Sequence, residues 1–140
     1  MSSRFLIKGF YEIKRIGSVE ELTDTVIRER ALRAHGGRSC EFVARINDKE
    51  MGFLSYEDWQ DNSQGFIHEI FILPAFRKKG VATLLLKHSE EYAMQLRCKS
   101  IRLRPYALDE EPSTQNLISW YSRVGYIECV DEPEFLEKFF

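Results

Sequence analysis

HEIFILPAFRKKGVATLLLK, residues 68–87, is the stretch whose reading decides the fold. With Phe66 and Ile67 ahead of it, the run from Phe66 to Leu73 is apolar at six of eight positions. That predicts a strand covered on both faces and therefore central in its sheet. Pro74 has no N–H for a ladder and ends the strand. From Val81 to about Leu96, Val81, Leu85, Tyr92 and Leu96 share one stripe, the pattern of a helix laid on that sheet. Between the two lies Arg77-Lys78-Lys79-Gly80-Val81-Ala82. The first turn of a helix leaves about four N–H groups unpaired and carries the positive end of the helix dipole. Gly80 removes a β-carbon from the approach, Ala82 and Thr83 stay small, and three cations add formal charge. Three basic residues alone read as a solvated surface loop; their place between strand and helix reverses that reading and selects an anion site.

Working outward, Tyr11 to Ile16 alternates as a first strand. Ser18 and Glu21 form a capping box that predicts one helix carrying Val19, Leu22, Val26 and Ile27 and closed by Gly36-Gly37. Glu41 to Ile46 and Glu50 to Tyr56 read as strands joined by a turn at Asn47-Asp48, and Glu57 to Gly65 as a polar connection. Ser100 to Leu103 alternates again. Pro112-Ser113 starts a helix bearing Leu117, Tyr121 and Val124, and Gly125 closes it. Tyr126 to Val130 and Phe135 to Phe140 are two further strand candidates. The order predicts an α/β (α+β) fold: a mixed central sheet of about six to seven strands flanked by three to four helices. Residues 1–140 form a single domain.

Composition narrows the function. At 140 residues the chain buries about two thirds of its unfolded surface. Twenty basic against twenty-two acidic residues leave a net charge of -2, which argues against a global grip on nucleic acid. No apolar run approaches the ~20 residues of a membrane span, and Met1 to Phe10 lacks the features of a secretory signal. Cys40, Cys98 and Cys129 are odd in number and far apart, with no spacing for zinc or redox work. A reducing cytoplasm is the expected setting. His35, His88 and the scattered carboxylates show no metal-ligand spacing, so no metal is expected. No G-x-x-x-x-G-K-[ST] and no G-x-G-x-x-G after a strand is present, which excludes two familiar phosphate loops.

The strand, Pro74, the aromatic Phe76 before Arg77, the Arg77-Gly80-Ala82 spacing and the helix to Lys87 together resemble the central motif of the GNAT superfamily of N-acetyltransferases. That motif is a strand, a turn [QR]-x-x-G-x-[GA] and a helix. WYSRVGY, residues 120–126, is similar to the family's late helix. The resemblance covers most of the chain from about Tyr11. It implies a transferase that moves an acetyl group from acetyl-CoA to a primary amine by direct attack through a tetrahedral intermediate. It places the pyrophosphate on the turn amides of Arg77, Lys78, Lys79, Gly80, Val81, Ala82 and Thr83, and the pantetheine arm along Ile70, Phe71 and Ile72 as an added strand. Where the family often carries a cofactor-binding Asn before the late-helix Tyr, this chain has Thr114, with Asn116 two residues on, and Asn116 is assigned to the cofactor.

The chemistry names two further groups. A lysine amine of pKa ~10.4 is neutral in only about one molecule in 2,500 at pH 7, so a positioned base matters. Glu69 is the carboxylate inside the apolar central strand and is the candidate base, directly or through water. A Glu paired with a neighbouring cation is the alternative, and a bulge would let His68 take the role. Tyr121, four residues before Gly125, resembles the family's general acid for the departing thiolate, and equally suits packing of helix on sheet. Backbone N–H groups near Ile72 would polarise the thioester carbonyl. Glu57, Asp58 and Asp61 would attract a cationic small-molecule or protein amine, or form a solvated loop. A homodimer through the apolar tail Phe135 to Phe140 is an option that Glu137 and Lys138 weaken. Two other readings remain: an inactive acyl-CoA-binding sensor, and an interaction domain using Arg77 to Lys79 with Arg97, Lys99, Arg102 and Arg104.

Overall fold

The computed structural model describes residues 10–105 and 113–140. Seven strands form one sheet in the order β1-β2-β3-β4-β5-β7-β6. They are β1 (Tyr11–Arg15), β2 (Ser39–Ile46), β3 (Lys49–Trp59), β4 (Gln64–Ile72), β5 (Ser100–Leu103), β6 (Ile127–Glu128) and β7 (Leu136–Phe139). Neighbours are antiparallel except β4 and β5, which run parallel. That pair needs a crossover, and α2 (Val81–Gln95) supplies it. Asn47 and Asp48 both take positive φ, 47° and 67°, giving the tight hairpin their types favour.

Alternation in the strands sends two apolar sets to opposite faces. Phe42, Leu54, Tyr56, Ile67 and Ile72 pack with Val81, Leu85 and Leu86 of α2 and with Trp120 and Tyr121 of α3 (Thr114–Arg123). Val43, Phe53 and Phe71 pack with Ile27 and Ala31 of α1 (Thr25–Ala34). β4 is apolar on both sides because it is covered on both sides. The sheet, the number of strands and the order of elements are as the sequence predicts.

Four expectations need correction. The helix predicted from Ser18 to Gly36 is two pieces. The Ser18 capping box starts a 3₁₀ turn, Val19–Glu21, and the chain straightens at Leu22 before Asp24 caps α1 by accepting from Ile27 N at 2.9 Å. The buried Glu50 carboxylate holds the break open by taking the amides of Thr23 and Asp24 at 2.7–3.0 Å. Val26, expected on the buried stripe, is exposed. The helix ends not at Gly36-Gly37 but at His35, in extended conformation, with its N–H on Ala31 O. Finally, Glu57 to Gly65 is not a loop throughout. β3 runs on to Trp59 and β4 starts at Gln64, and Trp59 stacks on Phe66 with centroids 4.5 Å apart. Ser113 caps α3 as predicted, accepting from Asn116 N, while Pro112 lies outside the described residues.

A bulge in β4 decides which of its side chains reach which face of the sheet. Ser55 of β3 pairs with Glu69, but Tyr56 pairs with Ile67, so His68 is one residue too many for the ladder. Ile67, Ile70 and Ile72 therefore all face α2 and α3, while Glu69 and Phe71 face α1.

Candidate active site

β5 stays beside β4 only over Gln64–Ile67 and stops at Leu103, while β4 continues to Ile72. The two strands part, and a cleft of about 770 Å³ opens between them. Residues 67–72 form one wall, Leu103, Arg104 and Pro105 the other, and Asn116, Leu117, Trp120 and Tyr121 of α3 close it above. Successive residues of a strand aim their N–H and C=O groups at alternate edges, so the stretch past Ile67 presents unladdered backbone groups to this gap. Trp120 is buried, and its Nε1–H has no acceptor among the described residues.

The cleft ends at the basic turn, where Lys78, Gly80, Val81 and Ala82 line it. Gly80 sits at φ 86°, the left-handed region where a side chain is costly, and opens α2. No hydrogen bond of ordinary geometry takes up the amides of Gly80, Val81 and Ala82 among the described residues. The turn is thus a short row of free donors at the positive end of a fifteen-residue helix. Arg77 contributes differently. Its amide donates to Pro74 O at 3.3 Å and its Nε to Ile72 O at 2.9 Å, with the guanidinium 5.6 Å from the Phe71 ring centre. It ties the turn to the end of β4, and the row of available amides starts after it. Lys79 and Thr83 are not among the residues that line the cleft.

Glu69 and Tyr121 both line the cleft, from different elements. Burial pushes the Glu69 carboxyl above its ordinary range, and Arg30, donating from Nη1 to Oε2 at 3.2 Å, pulls it back part of the way. Arg30 also lies over Phe71, 4.1 Å from the ring centre. Tyr121 is buried edge-on between Trp120 and Tyr126, and desolvation raises its phenol, which keeps it protonated across the neutral range. His68, at the bulge, lines the cleft half-exposed and lies 3.7 Å from Glu57. Ile70, Phe71 and Ile72 form the β4 wall, and of the pair Thr114 and Asn116 it is Asn116 that lines the cleft.

Sequence reasoning misses Arg30, because a helix begun at Ser18 cannot be registered correctly against β4. It also misses Glu41, a buried carboxylate in the apolar run of β2 that the logic applied to Glu69 would find. Among the described residues no helix is long and apolar enough to cross a membrane, and no group of three or more His, Cys, Asp or Glu side chains gathers as a metal site.

Known acetyltransferases share this pattern. The sequence model of the acetyltransferase (GNAT) family matches residues 7–132. An uncharacterised N-acetyltransferase of Methanocaldococcus jannaschii is 33% identical over 92 residues, covering 62% of this chain and 38% of its own length. The chain thus spans well under half of that relative, and 40% of a second one from Archaeoglobus fulgidus. Among solved structures, the IAA acetyltransferase from Bacillus cereus superposes with a TM-score of 0.73 at 15% identity, over 94% of this chain and 100% of that one. The PaiA N-acetyltransferase from Thermoplasma acidophilum, solved with coenzyme A, gives 0.67 at 13% identity over 94% and 99%. At such identities these likenesses establish the shared fold.

Proposed function

Because this chain belongs to the acetyltransferase (GNAT) family, we propose that it is an N-acetyltransferase that takes its acetyl group from acetyl-CoA and gives it to a primary amine. The observation that carries the reading is the convergence on one cleft of three things: an unladdered strand edge, a helix terminus with free amides, and two titratable groups on separate elements. The residues fit the donor. The amides of Gly80, Val81 and Ala82, with Lys78 and Lys79 nearby, would receive its pyrophosphate. The edge of β4 at Ile70, Phe71 and Ile72 would pair with the amide-bearing arm, and Asn116 and Trp120 Nε1 would meet it from α3. The bound thioester supplies an activated acyl carbon; the remaining chemistry falls to the protein.

Glu69 takes a proton from the acceptor ammonium, directly or through a water, which leaves the amine free to attack. Arg30 holds that carboxylate against the α1 face and favours its ionised form against the effect of burial. Backbone N–H groups around Ile72 stabilise the oxyanion of the tetrahedral intermediate. Tyr121, kept protonated by burial, donates to the departing thiolate. The three free, buried cysteines suit a reducing cytoplasm.

Thermal melting with and without acetyl-CoA, paired with thiol release over a panel of polyamines, aminoglycosides, lysine peptides and free peptide N-termini, tests the proposal. A thermal shift with thiol release supports it. A shift without release from any amine points to a sensor, and no shift with any acyl-CoA refutes both.

A further inference from the structure

Asp58 and Asp61, which the sequence offers with Glu57 as a lure for the acceptor amine, do not line the cleft. They line a second recess of about 420 Å³ together with Arg15, Arg38, Cys40 and Tyr92, and the two hollows share no residue. Strand alternation builds the recess. Arg15 of β1 pairs with Phe42 of β2, and Asp58 of β3 lies two residues beyond Tyr56. Phe42 and Tyr56 both face α2, so Arg15 and Asp58 face it as well. Tyr92, in the last turn of α2, packs edge-on against Phe42 and Tyr56, with ring centres 5.3 and 5.1 Å away. Twelve residues of helix separate Gly80 from Tyr92, a distance of about 18 Å. The recess therefore lies at the opposite end of α2 from the free amides.

Two guanidinium groups and two carboxylates line this one recess, yet among the described residues no ion pair joins either arginine to either aspartate. Their backbones are close enough to touch, since Asp58 N donates to Arg38 O at 3.5 Å. Among the described residues Arg38 and Asp61 make no side-chain hydrogen bond, and Arg15 meets the Tyr92 hydroxyl, donating from Nη1 at 3.4 Å. Asp58 Oδ1 is buried without a hydrogen-bond partner, a costly position for a carboxylate oxygen. Opposite charges held apart in one hollow suit a ligand that pairs with both. A simple anion is repelled by the aspartates and a simple cation by the arginines, whereas a molecule bearing one carboxylate and one ammonium satisfies each set. We infer that this recess binds a small zwitterion of the α-amino-acid class, with its carboxylate on Arg15 and Arg38 and its ammonium on Asp58 and Asp61. Planar guanidinium forks match a carboxylate at two points, which fixes that end of the ligand. The buried Cys40 and the Tyr92 ring leave an apolar wall for a small side chain. The site stands apart from acetyl transfer and does not depend on it.

The test melts the full chain with each standard amino acid, with the matching amine that lacks the carboxylate and with the matching acid that lacks the ammonium. At about ten times its Kd, a ligand of a 140-residue chain should raise Tm by roughly 5 °C. At least one amino acid should do so, and its amine and acid counterparts at the same concentration should not. Arg38→Ala changes an exposed side chain, and Asp58→Asn keeps the shape of the one it replaces. Both variants should melt cooperatively, and titration calorimetry should find the amino acid bound at least tenfold more weakly by each. The response to acetyl-CoA should match that of the wild type in both, because the cleft is untouched. No shift with any amino acid overturns the inference, and so does a shift that the amine or the acid alone reproduces. A shift undiminished in either variant overturns it too, since the amino acid would then be bound elsewhere, as an acceptor in the cleft for instance.

Discussion

Replacing Gly80 tests the turn by two variants that push stability and affinity in different directions. For 140 residues, an unfolding entropy of about 2.1 cal/mol/K per residue gives roughly 0.29 kcal/mol/K at the midpoint. Acetyl-CoA at about 100 times its Kd adds roughly 2.7 kcal/mol and should raise Tm by about 9 °C. Gly80 sits at φ 86°, where a residue with a side chain costs about 1–2 kcal/mol. Gly80→Ala should therefore melt about 3–7 °C lower while keeping part of the coenzyme shift. Gly80→Glu suffers the same backbone penalty, but its carboxylate lands at the positive end of α2 and recovers about 0.3–1 kcal/mol. It should melt above Gly80→Ala and yet show no shift, because its carboxylate occupies the row of free amides. The more stable variant should be the one blind to the ligand. Differential scanning calorimetry with and without acetyl-CoA reads both quantities. A shift near 9 °C in Gly80→Glu would show that the diphosphate does not sit on this turn.

Glu69→Gln should reduce kcat/KM by about 10²–10⁴. The acid limb of the wild-type profile should lie above the ordinary carboxylate range, since burial raises the Glu69 pKa, and should vanish in the variant. The stability effect has the opposite sign. A raised carboxyl pKa means the fold prefers the proton, so the contribution is full below the unfolded pKa and is lost as pH rises through the folded one. At pH 8 Glu69→Gln should thus melt higher than wild type while turning over more slowly. Tyr121→Phe should lower kcat about 10²-fold with little change in Tm, because the ring packing survives and the hydroxyl has no hydrogen-bond partner among the described residues. Steady-state kinetics with thiol detection measure it, and an unchanged kcat would leave Tyr121 a packing residue. Glu50→Ala should destabilise by about 1.5–3 kcal/mol, since it strands the amides of Thr23 and Asp24. Urea titration checks that, and a loss under 0.5 kcal/mol would mean that water replaces the carboxylate.

How much of the molecule is legible in its letters depends on where the information lies. β4, the turn and α2 are legible because composition, Pro74, Gly80 and the helical stripe all agree over twenty consecutive residues. The hairpin is legible because Asn47 and Asp48 tolerate the positive φ they adopt. The start of α1 is not, because Glu50, some twenty-five residues along the chain, fixes it. A local capping box at Ser18 offers a plausible start that the tertiary contact overrides. Arg30 escapes for the same reason, since its partner lies in another element. The cleft itself depends on β5 ending at Leu103 while β4 continues, and no local pattern sets the relative lengths of two parallel neighbours.

The extra residue at His68 works like a phase change in a repeating signal. In an uninterrupted strand, a position that matches Ile67 would be matched again at 69 and 71, which would press a carboxylate into the oily layer under α2 and turn Ile70 and Ile72 toward α1. The single insertion resets the count, so one short segment keeps its greasy side inward at both ends and still shows an acid where the strands come apart. Were His68 drawn into the ladder instead of bulging from it, the whole site would fall out of step.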